Sequence, residues 1–130
     1  MASRPLSPHL QVYKFTYAMA TSIFNRLTGL ALSAGLVLLV YWLVALAGGA
    51  RSFARATTIL SSPPCKALYA ILIIAFSYHL TAGVRHLVWD TGRGLERTQS
   101  RASARAVIVI SVVLTLLIAY CVWIAGVHTA

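Results

Sequence analysis

Four residues spaced at i, i+4, i+7 and i+11 share one face of a predicted helix. They are His79, Gly83, His86 and Asp90. A neutral imidazole binds haem iron as an axial ligand, and a glycine one turn from His79 lets a flat macrocycle approach the helix. Arg85 and His86 lie two turns nearer to the charged end, where haem propionates need cationic partners. The pattern favours a haem site with a basic rim, although a buried histidine also serves as a plain interhelical contact.

A second polar face lies in an otherwise uncharged segment nearer to the N-terminus. Its members are Ser22, Asn25, Arg26, Gly29 and Ser33, again at helical spacing. An arginine at the centre of a spanning helix costs about 2.5–3.5 kcal/mol, so it usually faces protein, water or a ligand. The alternative is that Arg26 reaches the lipid head groups beside a face of small residues that packs on another helix.

Three long apolar segments must position these two faces. Of the 130 residues, 59% are hydrophobic and 10% charged, and the mean hydropathy is +0.80. Uncharged stretches of bilayer length predict transmembrane helices at about 20–49, 64–90 and 104–127 in a single membrane-anchor domain, residues 1–130. We therefore predict an all-α membrane protein with short connections. The composition argues against a water-soluble, disordered or disulfide-stabilised chain.

The distribution of positive charge predicts the orientation. The net charge is +9, and eight lysines and arginines lie in the N-terminal region and in residues 85–105, against three in the connection 51–66. Because cytoplasmic segments carry the excess of positive charge, we expect a multi-pass protein with a cytoplasmic N-terminus. Both polar faces then lie toward the inner leaflet. Membrane topology accounts for the basic residues, so no nucleic-acid partner is expected.

A haem iron with two protein ligands takes them from opposite faces of the macrocycle, whereas one straight helix presents a single face. His86 is therefore excluded as the partner of His79. His9 lies in the inner tail and His128 at the outer end of the third predicted span. If the haem has two histidine ligands, the second has to come from another polypeptide.

The remaining reactive residues are few and scattered. Asp90 and Glu96 are the two acidic residues, and Cys65 and Cys121 belong to no metal-binding or redox motif. No nucleophile–base pair or phosphate-binding loop is present in the sequence, so no catalytic residue is predicted within this chain. The N-terminal residues lack a leader-like pattern, and the retained Met1 favours a bacterial inner membrane over a mitochondrion.

Three motifs carry a resemblance to a known family. They read RPLSPHL at 4–10, SIFNRLT at 22–28 and HLTAGVRHLVWDTG at 79–92. With them the sequence resembles, over most of its length, the cytochrome b556 subunits of succinate dehydrogenase, a family of membrane anchors. The second motif has Asn25 where that family usually has histidine, and an asparagine side chain cannot carry a charge.

The resemblance implies a hetero-oligomeric helical bundle around haem b within a four-subunit succinate:quinone oxidoreductase, respiratory complex II. A second membrane anchor would supply the other haem ligand, an iron–sulfur subunit the electrons and a flavoprotein the oxidation of succinate. His79 would be the axial ligand of the haem iron, with Arg26 and His86 as propionate partners. Ser22 and Arg26 would bind the quinone, ubiquinone or menaquinone. The alternatives are an anchor of a quinol:fumarate reductase and a non-catalytic three-helix scaffold.

Overall fold

The computed structural model describes the backbone of residues 17–128 and the side chains of residues 19–126. This part of the chain forms four helices and no strand. They are α1 (Tyr17–Ala47), α2 (Ala50–Leu60), α3 (Pro63–Asp90) and α4 (Arg97–His128). Helices α1, α3 and α4 are long and apolar enough to cross a membrane. The predicted all-α class with three spans is confirmed.

Helix α4 begins at Arg97, whereas the sequence predicted the third span from about residue 104. The additional turns are amphipathic. Three arginines in these turns, at positions 97, 101 and 105, are exposed, while Ala104 is buried. Because these arginines at i, i+4 and i+8 face away from the bundle, the helix extends past the apolar span without placing charge in it.

The connection 51–66 contains a helix that the sequence patterns did not predict. In α2, Phe53 contacts Trp42 of α1 edge-on, with ring centroids 6.2 Å apart. Arg51 and Arg55 are exposed. Since α2 links the end of α1 to the start of α3, it lies at the end of the bundle where α1 ends and α3 begins. Its apolar side is packed and its charged side is open, which is the pattern of a helix at a membrane surface.

Helix α3 is the centre of the bundle. It packs against both α1 and α4, which hardly touch each other. Apart from Arg85, the side chains buried on α3 and α4 are small. They are Ala75, Ser77 and Ala82 on α3, and Ala104, Val107 and Ser111 on α4. Small residues let two helices approach closely in a membrane, where van der Waals packing and interhelical hydrogen bonds hold them together.

A polar contact lies within this small-residue interface. The hydroxyl oxygens of Thr81 and Ser111 are 2.6 Å apart, and Ser77 is completely buried. The Ser77 hydroxyl donates to the carbonyl of Ile73 at 2.9 Å. Every one of these hydroxyls therefore has a partner, as the bilayer core requires.

The outer faces of the bundle are apolar. On α1, Leu30, Val37 and Val44 recur every seven residues and are 70%, 68% and 65% exposed. Nothing in the described part of this chain covers them. In a membrane protein such a surface is in contact with lipid tails or with another spanning subunit.

We expect Ser77→Leu to lower the thermal stability of the protein, because a leucine does not fit the closed α3–α4 contact. Overpacking a core costs about 1–3 kcal/mol, so the unfolding midpoint should fall by several degrees. Circular dichroism of the detergent-purified protein measures it. Val109→Leu, at a side chain that is 62% exposed, is the matched control and should leave the midpoint unchanged. Equal midpoints for both variants would contradict the tight interface.

Candidate functional site

His79 of α3 faces α1 and is half-buried. Its Nδ1 lies 3.1 Å from the carbonyl oxygen of Asn25 and 3.2 Å from Oγ1 of Thr28. A carbonyl oxygen only accepts hydrogen bonds, so Nδ1 carries the hydrogen and donates it. The neutral ring then has its free lone pair on Nε2, the nitrogen that remains for an electrophile or a metal.

The imidazole ring lies directly against the backbone of α1 at Gly29. A Cβ atom built at that glycine would be 3.0 Å from Cε1 of His79. Any larger residue at position 29 would therefore push the ring or separate the helices. Gly29 admits the ring to the place where the acceptors of α1 can reach Nδ1.

Gly83 lies one turn from His79 on the same face of α3. A Cβ built there would meet no atom within 4 Å, so this stretch of the helix is open. A neutral imidazole with one nitrogen held by a carbonyl, beside an open helix face, is the donor arrangement that haem iron takes from a protein. The residues present therefore fit the haem that was predicted from the sequence.

His86 lies two turns along the same face and is exposed. Its ring contacts that of Trp89 edge-on, with centroids 5.3 Å apart. Asp90 is exposed one turn further along. His86 is thus accessible, as a residue that meets a bound anion must be.

Arg85 does not share this face, contrary to the expectation that it forms a basic rim with His86. It is 8% exposed and lies against α4. Its Nε donates to Ser103 Oγ at 3.0 Å and its Nη2 to the carbonyl of Ser100 at 3.0 Å. The guanidinium carbon also lies 4.0 Å from the ring centroid of Trp89, a cation–π contact. Because Arg85 lies six residues after His79, its side chain points about 120° away from that of His79 around the helix axis.

Ser22 and Arg26 lie one turn apart on α1, in the turns before Thr28. Ser22 is half-buried and Arg26 is exposed. Within residues 17–128, the side chain of Arg26 makes no hydrogen bond or ion pair. A hydroxyl and a guanidinium at this spacing offer hydrogen-bond donors to an oxygen acceptor.

Asn25 contributes to the site through its backbone. Its carbonyl accepts from His79, whereas its side-chain Oδ1 is buried with no hydrogen-bond partner among the described residues. Tyr78, next to His79, donates its hydroxyl to the carbonyl of Thr21 at 3.1 Å. The two sequence motifs are therefore joined by hydrogen bonds from α3 to main-chain oxygens of α1.

The helical spacing of the sequence placed His79, Gly29 and Asn25 on the two polar faces, and the structure brings them together. Thr28 was not identified in this way, although its hydroxyl ends the SIFNRLT motif. Position 28 lies three residues after Asn25 and so neighbours it on the surface of α1, but its contact with His79 depends on how α1 and α3 are rotated against each other. The proposed roles of Ser22, Arg26, His79 and His86 toward ligands remain predictions.

Three apolar spans and a histidine held between two of them define a multi-pass helical membrane subunit. Residues 2–118 match the family model described as "Succinate dehydrogenase/Fumarate reductase transmembrane subunit". The chain belongs to this family.

Individual relatives of the chain are named as subunits of succinate dehydrogenase. The chain is 47% identical over 115 residues to the succinate dehydrogenase cytochrome b556 subunit of Paracoccus denitrificans, covering 88% of each chain. It is 35% identical to the b556 subunit of Rickettsia prowazekii, covering 88% of this chain and 90% of the relative. It is 39% identical to the human mitochondrial succinate dehydrogenase cytochrome b560 subunit, covering 85% of this chain and 67% of the relative. The resemblance predicted from the three motifs is confirmed.

Proposed function

We propose that this chain is the membrane anchor of a succinate:quinone oxidoreductase, in which it binds haem b and forms part of the quinone-reduction site. The observation that carries this proposal is the His79 contact, which joins the two polar motifs and leaves Nε2 free. The names of these relatives, all succinate dehydrogenase subunits, support it. The family description also includes fumarate reductases, so an anchor for the reverse reaction is the second candidate.

His79 is the proposed axial ligand of the haem iron, through Nε2. When bound, haem b supplies a one-electron carrier within the membrane. The chain holds His79 in one tautomer and orientation through Asn25 and Thr28. A second membrane anchor subunit would provide the other ligand, because His86 lies on the same face of α3 as His79. Accessible His86 and Arg26 would meet the haem propionates.

Ser22 and Arg26 are the proposed quinone residues. Reduction builds negative charge on the quinone oxygens, and donors already aimed at that position stabilise it. The Ser22 hydroxyl donates a neutral hydrogen bond, and the Arg26 guanidinium adds a charge. These donors suit the carbonyl oxygens of ubiquinone and of menaquinone equally. Protons would arrive from the inner aqueous side or through the partner chains.

The proposed partners follow from the path of the electrons. A flavoprotein subunit oxidises succinate, an iron–sulfur subunit carries the electrons to the membrane, and this chain with the second anchor receives them. The proposed location is a bacterial inner membrane, with the N-terminus in the cytoplasm. The exposed arginines of α4 at positions 97, 101 and 105 support this orientation, because positive charge accumulates on the cytoplasmic side.

The decisive experiment purifies the tagged chain in mild detergent and identifies what accompanies it by mass spectrometry. We expect a flavoprotein, an iron–sulfur protein and a second small membrane subunit. The dithionite-reduced complex should show the α absorption band of a b-type haem. His79→Ala should lose this band, and added imidazole should restore part of it, since the iron again gains a ligand.

The control for this experiment is Leu80→Ala, at the exposed neighbour of His79, which should keep the band. Oxidation of succinate by a soluble dye should persist in both variants, because that step lies in the partner subunits. A complex without haem absorption, or an unchanged spectrum in His79→Ala, would exclude the proposed ligand. Of these two outcomes, the absence of haem absorption is the one that a non-catalytic three-helix scaffold predicts.

Arg26→Leu should reduce quinone reduction by succinate about tenfold or more, with haem content less affected. A hydrogen bond from a charged donor contributes about 1.5–3 kcal/mol, and here it acts where charge develops. Quinone reduction and dye reduction are measured in parallel on the assembled complex. Arg51→Leu removes an exposed arginine from α2 and should leave both rates unchanged. Normal quinone kinetics in Arg26→Leu would remove it from the pocket.

The proposed orientation predicts which introduced cysteines react with a reagent that is added outside the membrane. In a variant without Cys65 and Cys121, Thr58→Cys on α2 should react with a membrane-impermeant maleimide in intact spheroplasts. Leu95→Cys, between α3 and α4, should react only after the membranes are solubilised. Both positions are exposed in the chain, so a difference in labelling reports the side of the membrane. The opposite pattern would place the N-terminus outside.

A further inference from the structure

We propose that Thr28 is a positioning residue for the haem ligand: its hydroxyl accepts the Nδ1 hydrogen of His79 and tunes the electron density on Nε2. This inference rests on the proposed role of His79 in binding haem. It adds a side chain of α1 that acts on the iron through His79, without touching it.

The direction of the hydrogen bonds defines what Thr28 does. Its Oγ1 lies 2.8 Å from the carbonyl of Phe24 and 3.0 Å from that of Asn25, and it donates its hydrogen to these acceptors. The lone pairs on Oγ1 therefore remain to accept the Nδ1 hydrogen of His79, 3.2 Å away. Threonine commonly makes this backbone contact within a helix, so its hydroxyl is oriented before α3 packs against it.

Three contacts then hold the imidazole on α1. The Asn25 carbonyl and the Thr28 hydroxyl accept from Nδ1, and the ring rests over Gly29, where a Cβ would lie 3.0 Å from Cε1. Together they fix both the tautomer and the plane of the ring. Thr28 is the one of the two acceptors that a substitution can remove, since the other belongs to the main chain.

An acceptor at Nδ1 has an electronic consequence for a metal at Nε2. Partial withdrawal of the Nδ1 hydrogen makes the imidazole a more basic ligand. A more basic ligand favours the oxidised iron, which has the higher positive charge. Removing the hydroxyl should therefore raise the reduction potential of the haem. A residue that only filled space beside His79 would not change this potential when replaced by one of the same shape.

The test uses Thr28→Val, which keeps the branched shape without the hydroxyl, and Thr28→Ser, which keeps the hydroxyl. Ser33→Ala is the matched control, because the Ser33 hydroxyl donates only to Gly29 of its own helix at 3.0 Å. Redox titration of the α band and electron paramagnetic resonance of the oxidised haem are recorded on the purified complex. Haem per flavin is measured in the same samples.

We expect Thr28→Val to raise the midpoint potential and shift the resonance, with haem per flavin within about twofold of the wild type. Thr28→Ser and Ser33→Ala should match the wild type. Thr28→Ala is the second variant, should valine prevent assembly, and should shift the potential the same way. An unchanged midpoint potential in Thr28→Val and Thr28→Ala would overturn the inference. So would a shift in Thr28→Ser as large as that in Thr28→Val. It would also be overturned if Thr28→Ser were the one variant at this position that assembles.

The two proposals fail in different ways. If His79 is not a haem ligand, the spectrum of His79→Ala stays normal or the wild-type complex has no haem band. If only the role of Thr28 is wrong, the haem band depends on His79 while the potential does not depend on the hydroxyl.

Discussion

The hydrogen bond from His79 to the backbone of α1 is the contact on which the candidate site depends. In an apolar environment an N–H group without an acceptor is costly, so the imidazole lies where α1 offers a carbonyl. The Nδ1 contact with Asn25 at 3.1 Å sets the rotation of α3 relative to α1. It also decides which ring nitrogen carries the hydrogen. The packing of the two helices and the tautomer of the ring therefore depend on the same atom.

The central position of α3 follows from its two different faces. One face carries His79 and meets Gly29, where the absence of a side chain brings the backbone of α1 close. The other presents Ser77 and Thr81 to Ser111 of α4. Since α1 and α4 hardly touch, each is held mainly through α3. The apolar surfaces that α1 and α4 leave uncovered agree with a subunit that lies in lipid beside other spanning chains.

The long spans and the two polar faces were predictable because they depend on local periodicity and on the length of uncharged sequence. Helix α2 was not predicted, because the connection 51–66 was interpreted from its charges and not from the spacing of its apolar residues. The position of Arg85 was not predicted correctly either, since closeness along the chain to His86 does not place both on one side of a helix. The Thr28 contact depends on how two helices are rotated against each other, which local patterns do not contain.

The burial of Arg85 has a consequence for how the protein enters the membrane. Its guanidinium donates hydrogen bonds to Ser100 and Ser103, both on α4. Without α4, that end of α3 would expose a charged group to lipid, at a cost that depends on its depth. Helices α3 and α4 therefore gain by integrating together as a helical hairpin. The insertion of α3 into the membrane is then favoured by the segment between the two helices and by the first polar turns of α4.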